Sequence, residues 1–221
     1  MFNPSAVPEG SSADLSTRAR IRDAAIAIFG EQGFGVGVRA IATAAGVSPG
    51  LVNHHFGSKD GLREACDDHV RAVIRKSKTD SVEHPTPTSL LGQLADIESF
   101  APMVAYIVRS FQAGGGLAAA LFDHMVSDVE QYLTAGIAAG TIRAPRDLTA
   151  TARYLAVHNG GGMMLFLQLY ADTHDAPLDY GKALREYAEQ MVLPGVELFT
   201  NGLLADSVML DTLLQHKTPD T

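Results

Sequence analysis

Disulfide chemistry is all but absent from this 221-residue chain, whose one cysteine is Cys66. No intramolecular bridge can form, which points to a reducing, cytoplasmic setting. Cys66 is also a poor nucleophile on paper, because Glu64, Asp67 and Asp68 beside it raise a thiol pKa rather than lower it. It reads as a small helix-packing side chain. Long hydrophobic runs are missing too. The most apolar stretch, 155–171, is broken by His158, Asn159, Gly160, Gly161, Gly162 and Gln168, so no membrane-spanning helix is expected. Residues 1–15 have neither a basic start nor an apolar centre and read as a disordered arm rather than a signal peptide; residues 214–221 read as a frayed tail. No segment alternates in polarity as a half-buried strand would, and no tandem repeat is present.

Metal-ligand spacing is lacking as well. His54 and His55 are adjacent, so on a helix they point about 100° apart and cannot chelate one ion. His124, His158 and His174 stand singly. The string GFGVG at 33–37 follows a helical pattern rather than a strand, which discards a dinucleotide loop. No nucleophile, base and orienting group fall into a set, so no catalytic residue, metal or cofactor is expected.

A positive balance is missing overall: the formal net charge is −8. Its distribution is uneven. Residues 1–78 hold ten Lys and Arg against eight Asp and Glu, whereas 79–221 hold seven against seventeen. Within 16–63 the count is six basic to three acidic, a basic island on an acidic body. Such a chain has room for a small DNA-facing head without general stickiness.

What fills the chain is helical periodicity. Ile21, Ala24, Ala25, Ile28 and Phe29 share one face of a first helix spanning about Thr17 to Gln32. Val38, Ile41, Ala42 and Ala45 define a short second one, stopped by Gly46. Ser48 and Pro49 supply a cap and a first-turn proline for a third, ending near Phe56; Ser58 caps a fourth that reaches about Lys78. Beyond the linker EHPTPT, helices are expected near 88–98, 101–113, 116–139, 147–173 and 179–199, with Pro194 kinking or ending the last and Asn201-Gly202 as a stop.

On a helical wheel of 48–56, Val52 and Phe56 face inward with Val47, while Gly50 and His54 point outward, flanked by Leu51 and Asn53. His55 lies at the edge of the buried side. Two short helices around a tight glycine turn make a helix-turn-helix, whose second helix enters the major groove. Its outer face offers what base edges and phosphates need: a small residue, an apolar one and hydrogen-bonding groups.

Here the sequence resembles the tetracycline-repressor (TetR) family of transcription regulators. The resemblance is carried by ARIRDAAIAIFGEQGF and VRAIATAAGVSPGLVNHHFGSKDGL, about the first quarter of the chain. It implies an all-α fold, with a three-helix DNA-binding head (16–62) joined to a helical-bundle effector-binding and dimerisation domain (63–213). It also implies a DNA face made of Arg39, Ser48, Gly50, Leu51, Asn53, His54 and Lys59, with Lys59 on a phosphate. Arg18, Arg20 and Arg39 are either contacts to the DNA backbone or ordinary surface charge. Two departures stand out. Gly37 replaces the usual Ser or Thr at the start of the second helix, weakening its cap. Asn53 replaces a usual tyrosine, and can bond either a phosphate or an adenine edge.

The predicted helix 147–173 is apolar on more than one side. One stripe runs Leu148, Ala152, Leu155, Asn159, Met163, Phe166, Tyr170 and another runs Val157, Gly160 or Gly161, Met164, Leu167 or Gln168, Ala171. A helix apolar all round is buried all round, and a partner subunit is the natural cover. Asn159 is either a satisfied core amide or a polar handle in an apolar cavity. Met103, Phe111, Phe122, Met125, Met163, Phe166 and Tyr170 either line that cavity or form plain core. The expected protein is a homodimeric repressor that leaves a two-fold-related DNA operator when a small, largely apolar effector binds. The alternatives are a ligand-independent DNA-binding protein and an all-helical enzyme acting on a small apolar substrate.

Overall fold

A computed structural model describes residues 12–174 and 177–217. Ten α-helices account for most of them: α1 Ser12–Gln32, α2 Val38–Ala45, α3 Pro49–Phe56, α4 Lys59–Glu83, α5 Pro87–Ala95, α6 Ala101–Ala113, α7 Gly115–Ala138, α8 Leu148–Thr173, α9 Tyr180–Asn201 and α10 Val208–Lys217. A 3-10 turn, Ile97–Phe100, leads into α6. No described helix is long and apolar enough to cross a membrane.

Local chemistry explains most boundaries. Gly46, at φ 64°, holds the left-handed conformation that ends α2, its N–H turned back to Ala42 and Thr43. The hydroxyl oxygens of Ser48 and Ser58 accept from Leu51 N–H (3.3 Å) and Gly61 N–H (3.0 Å), capping α3 and α4. Gly37 provides no such bond to α2, as its missing side chain requires. Thr86 and Ser89 form a reciprocal capping box on α5, while Asp147 and Asp179 cap α8 and α9.

Several expected limits shift. The first helix begins at Ser12, so residues 12–15 of the expected arm are its first turn; residues 1–11 lie outside the described part. Likewise 214–217 of the expected tail complete α10, and 218–221 lie outside. The fourth helix runs past Lys78 to Glu83, so the expected division at 62/63 falls within an unbroken helix. Pro194 sits inside α9 without ending it. Both Pro194 and Gln190, whose carbonyl loses its N–H partner, are exposed, so water can take that carbonyl.

The core falls into three clusters. Ile21, Ala25, Ile26 and Phe29 of α1 meet Ile41, Ala42 and Ala45 of α2, Val52 of α3, and Leu62, Cys66 and Val70 of α4. Tyr106 of α6 is buried in that same cluster, with Met103 and Ile107 packed on it. The head therefore has a wall supplied by the body. A second cluster joins Val126, Val129 and Leu133 of α7 to Ala152 and Ala156 of α8; a third joins Val108 of α6 to Leu167, Tyr170 and Ala183 of α8 and α9. Helix α6 thus buries one face in the head and another in the body.

At Gly30 head and body come into close contact. A Cβ there would lie 2.9 Å from Ala105 Cβ and 3.0 Å from Tyr106 N, so only glycine lets α1 seat on α6. Arg109 of α6 completes the joint, donating from Nε to Gly30 O (3.1 Å) and from Nη2 to Glu31 O (3.2 Å) at the C-terminal end of α1. That placement suits a cation.

Candidate nucleic-acid interface

Helix α3 is eight residues long and is held at both ends. Ser48 and Pro49 start it, and Val52, 1% exposed, anchors its inner face. On the other side Gly50, Asn53 and His54 are exposed, with Leu51 half-buried beside them. This is the face that the wheel assigned outward. The His54 and His55 rings meet edge to face with centroids 5.5 Å apart, an arrangement unlike two ligands on one ion. Among the described residues no group of three or more His, Cys, Asp or Glu is assembled to hold a metal.

Three of the four C-terminal carbonyls of α3 are bonded, each by a different donor. Gly57 N–H bonds Asn53 O, Ser58 N–H bonds Phe56 O, and Arg18 Nη1 reaches from α1 to His55 O at 2.5 Å. The Arg18 guanidinium also lies 4.5 Å from the centroid of the Phe56 ring. This bond to the chain's own carbonyl is a third role for Arg18, beside the two readings open from the sequence, contact with the DNA backbone or plain surface charge.

Lys59 stands at the start of α4 as expected, and it has a partner within the chain that its position in the sequence did not announce. Its ammonium donates to Phe34 O at 2.6 Å and is half-buried, tying the start of α4 to the loop between α1 and α2. A cation at a helix N-terminus is unfavourable, and the Phe34 carbonyl relieves it within the chain. Two N–H donors remain. Arg39 is exposed on α2, its carbonyl accepting from Thr43 Oγ1 at 3.0 Å.

Other polar groups join the head to its surroundings, and no local spacing announces them. The Arg63 guanidinium sits 3.5 Å from the Phe34 ring centroid, a stacking contact that offsets its buried N–H groups. Tyr106 donates to Asp67 Oδ1 at 2.6 Å, and burial pushes its phenol well above the usual range. Cys66 is fully buried; burial, then the nearby Asp67 charge, push its thiol up to about 12. The packing role read from the sequence fits this environment.

The residues expected to line an effector cavity are divided among three clusters rather than gathered round one space. Met103 packs on the head core, Phe122 on the α7–α8 cluster, and Met163, Phe166 and Tyr170 on the cluster between α6, α8 and α9. Phe111 and Met125 are half-buried, and Asn159 is exposed, so it anchors no internal cavity. The reason is that α8 turns Ala152, Ala156, Leu167 and Tyr170 inward, which rotates Asn159 out. A cavity of about 300 Å³ lies instead between α4, α6 and α7, lined by Glu64, Asp67, Asp68, Arg71, Ser110, Ala120, Leu121 and His124. It is more polar than the expected one.

Comparison with known proteins follows the same division of the chain. Residues 21–66 match the family described as bacterial regulatory proteins, tetR family, and residues 98–205 match the tetracyclin repressor-like C-terminal domain. The chain is 54% identical over 203 residues, 92% of its length and 94% of the relative's, to the HTH-type transcriptional regulatory protein RaaS of Mycobacterium tuberculosis (strain ATCC 25618 / H37Rv). A solved structure of a putative TetR-family transcriptional regulator from Rhodococcus sp. matches with a TM-score of 0.53 at 22% identity, covering 79% of this chain and 97% of that one. A TetR transcriptional regulator from Chloroflexus aurantiacus J-10-FL matches with a TM-score of 0.50 at 23% identity, covering 80% and 96%. The likeness to both structures is one of fold.

Proposed function

Since the chain belongs to the TetR family of helix-turn-helix transcriptional regulators, we propose that it is a cytoplasmic homodimeric repressor that leaves a two-fold-related operator when a small molecule binds its body. The observation that carries the ligand response is the shared helix α6, which places Tyr106 in the head core and Val108 in the body core. Any shift of α6 in the body strains the head, and Arg109 and Gly30 leave little slack at the joint. Two heads must present α3 to successive major grooves about 34 Å apart, so a small change in their separation weakens binding. Emptying an operator this way requires a differential affinity of a few kcal/mol between the two states.

Dimerisation is supported by apolar side chains that the protomer leaves uncovered. Tyr154, Val157, Leu165 and Leu169 on α8, and Met191, Leu193, Val196 and Phe199 on α9, are all more than two-fifths exposed. Exposed apolar surface on this scale is characteristic of an interface. For the effector, the cavity between α4, α6 and α7 favours a small molecule with hydrogen-bonding groups as well as apolar surface. On the DNA side, Gly50, Leu51, Asn53 and His54 are the candidate readers, with Arg39, Ser48 and Lys59 toward the backbone.

Selection of bound sequences from random duplex DNA tests the reading. A two-fold-related motif is expected; a motif without two-fold symmetry would count against the dimeric operator. Thermal-shift screening with the same protein then seeks compounds that raise its stability and release the selected duplex. Compounds that stabilise without releasing DNA would separate ligand binding from regulation.

A further inference from the structure

We infer that Arg18 is a positioning residue for DNA recognition: from α1 it fixes the C-terminal end of α3, and so the angle at which Asn53 and His54 meet the groove, without itself neutralising a phosphate. Three observations converge on it. First, Arg18 Nη1 bonds His55 O, a carbonyl in the last turn of α3 that has no partner within its own helix. Second, the same guanidinium lies over Phe56, the residue that ends α3 on its inner side. Third, Asp14, one turn earlier on α1, faces His55 from its other polar end: its carboxylate is 3.6 Å from Nε2 of an imidazole that is only 4% exposed. Arg18 therefore holds His55 by its carbonyl, while the Asp14 carboxylate, four residues earlier, lies alongside the buried imidazole.

The consequence for recognition is geometric. An eight-residue helix is only about 12 Å long, and α3 is anchored inward by few side chains, Val52, the His55 imidazole and part of Phe56. With so small an anchor, its tilt depends on what grips its ends. Ser48 grips the N-terminal end from within the same segment. Arg18 grips the C-terminal end from 37 residues away. Bidentate base contacts tolerate little misalignment, whereas phosphate contacts are more forgiving. Loosening the far end of α3 therefore costs specific binding more than non-specific binding.

Fluorescence anisotropy on the selected duplex and on an unrelated duplex, across a salt series, tests this. The inference rests on DNA reading by α3 and not on any effector. Arg18→Ala is expected to lose about tenfold in affinity for the selected duplex and little for the unrelated one, with the slope of log K against log salt unchanged on both. Arg18→Lys, which keeps the charge and a donor but not the planar stack on Phe56, is expected to recover part of the loss. Measurements are made at a temperature where circular dichroism shows each variant folded, since lost stability alone does not change the ratio of the two affinities. If Arg18→Ala does not fold, Arg18→Lys and Arg18→Gln supply the same ratio. A loss shared equally by both duplexes overturns the inference, and a salt slope reduced by about one per subunit reassigns Arg18 to a phosphate. Unchanged affinity for the selected duplex overturns it as well.

Discussion

The hydroxyl of Tyr106 donates to the Asp67 carboxylate at 2.6 Å, linking α6 of the body to α4 while the Tyr106 ring fills the core of the DNA-binding head. Its ring lies among Phe29 and Phe34, with centroids 6.3 and 5.5 Å away. Tyr106 is 1% exposed, so it is as much a core residue of the head as any in α1 to α4. The head and the body consequently share structure rather than a linker.

A fragment ending at Glu83 should therefore lack a wall of its own core. It is expected to unfold without a cooperative transition, checked by thermal circular dichroism. Tyr106→Phe in the full chain keeps the packing and removes only the hydroxyl, with its short bond to Asp67 (2.6 Å) and its longer one to Arg63 O (3.4 Å). It should cost about 1–3 kcal/mol, because the half-buried carboxylate loses a donor. Tyr106→Ala should cost about 3–5 kcal/mol. A stable, cooperative head fragment would mean that Tyr106 is dispensable.

Gly30→Ala isolates the α1–α6 contact. On helix propensity alone the change would stabilise by about 1 kcal/mol. The new methyl meets Ala105 Cβ at 2.9 Å and backbone nitrogen at 3.0 Å, neither of which is a flexible side-chain end. Overpacking by about 1–3 kcal/mol should win, so urea denaturation should show net destabilisation. A gain in stability would show that α1 and α6 part without penalty.

Asn53 and Lys59 should divide their labour on DNA. Asn53→Ala is expected to cost about 1–3 kcal/mol, mostly at one symmetric pair of base positions. A loss uniform across operator variants would put Asn53 on a phosphate instead. Lys59→Ala carries two expected effects, because its ammonium already serves Phe34 O. It should lower the melting temperature through the loop. It should also reduce the salt slope by about one per subunit through its remaining donors. An unchanged slope would confine Lys59 to the loop.

Gly161→Arg probes the subunit interface. Gly161 is exposed and a Cβ there meets nothing within 4 Å, so the protomer itself has room for the side chain. If α8 packs on its counterpart, the unpaired charge should yield folded monomer, measured by light scattering. A dimer of unchanged mass would locate the interface elsewhere.

Cys66 should resist alkylation by iodoacetamide in the native protein at neutral pH, since a thiol pushed up to about 12 presents almost no thiolate. The same shift has a sign for stability. The unfolded thiol ionises near its ordinary value of 9.0, before the folded one does. Its contribution is complete below pH 9 and is lost as pH rises toward about 12. Cys66→Ala should flatten the stability profile over the lower part of that window, where Tyr106 has yet to respond. Rapid native labelling would contradict the burial.

Chain order alone determined the parts of this protein whose causes lie within a few residues. Ser48, Pro49 and Ser58 start α3 and α4 because a cap needs only its own next turn, and Gly46 ends α2 because only its own φ is at stake. The outward set Gly50, Asn53 and His54 follows from an eight-residue helix with Val52 inside, and the helix-turn-helix motif follows with it. Tertiary structure decided what periodicity leaves free: which apolar side meets which neighbour. Helix α8 is apolar on several sides, so its pattern has no inherent inner face. Packing on α7 and α9 chose Ala152, Ala156, Leu167 and Tyr170, and turned Asn159 outward. For the same reason Met103, Phe122 and Phe166, read as neighbours in one cavity, entered three separate clusters. Arg18 on His55, Lys59 on Phe34 and Tyr106 on Asp67 bridge 37, 25 and 39 residues. Bonds of that span depend on where whole helices come to rest, and local spacing carries no record of it.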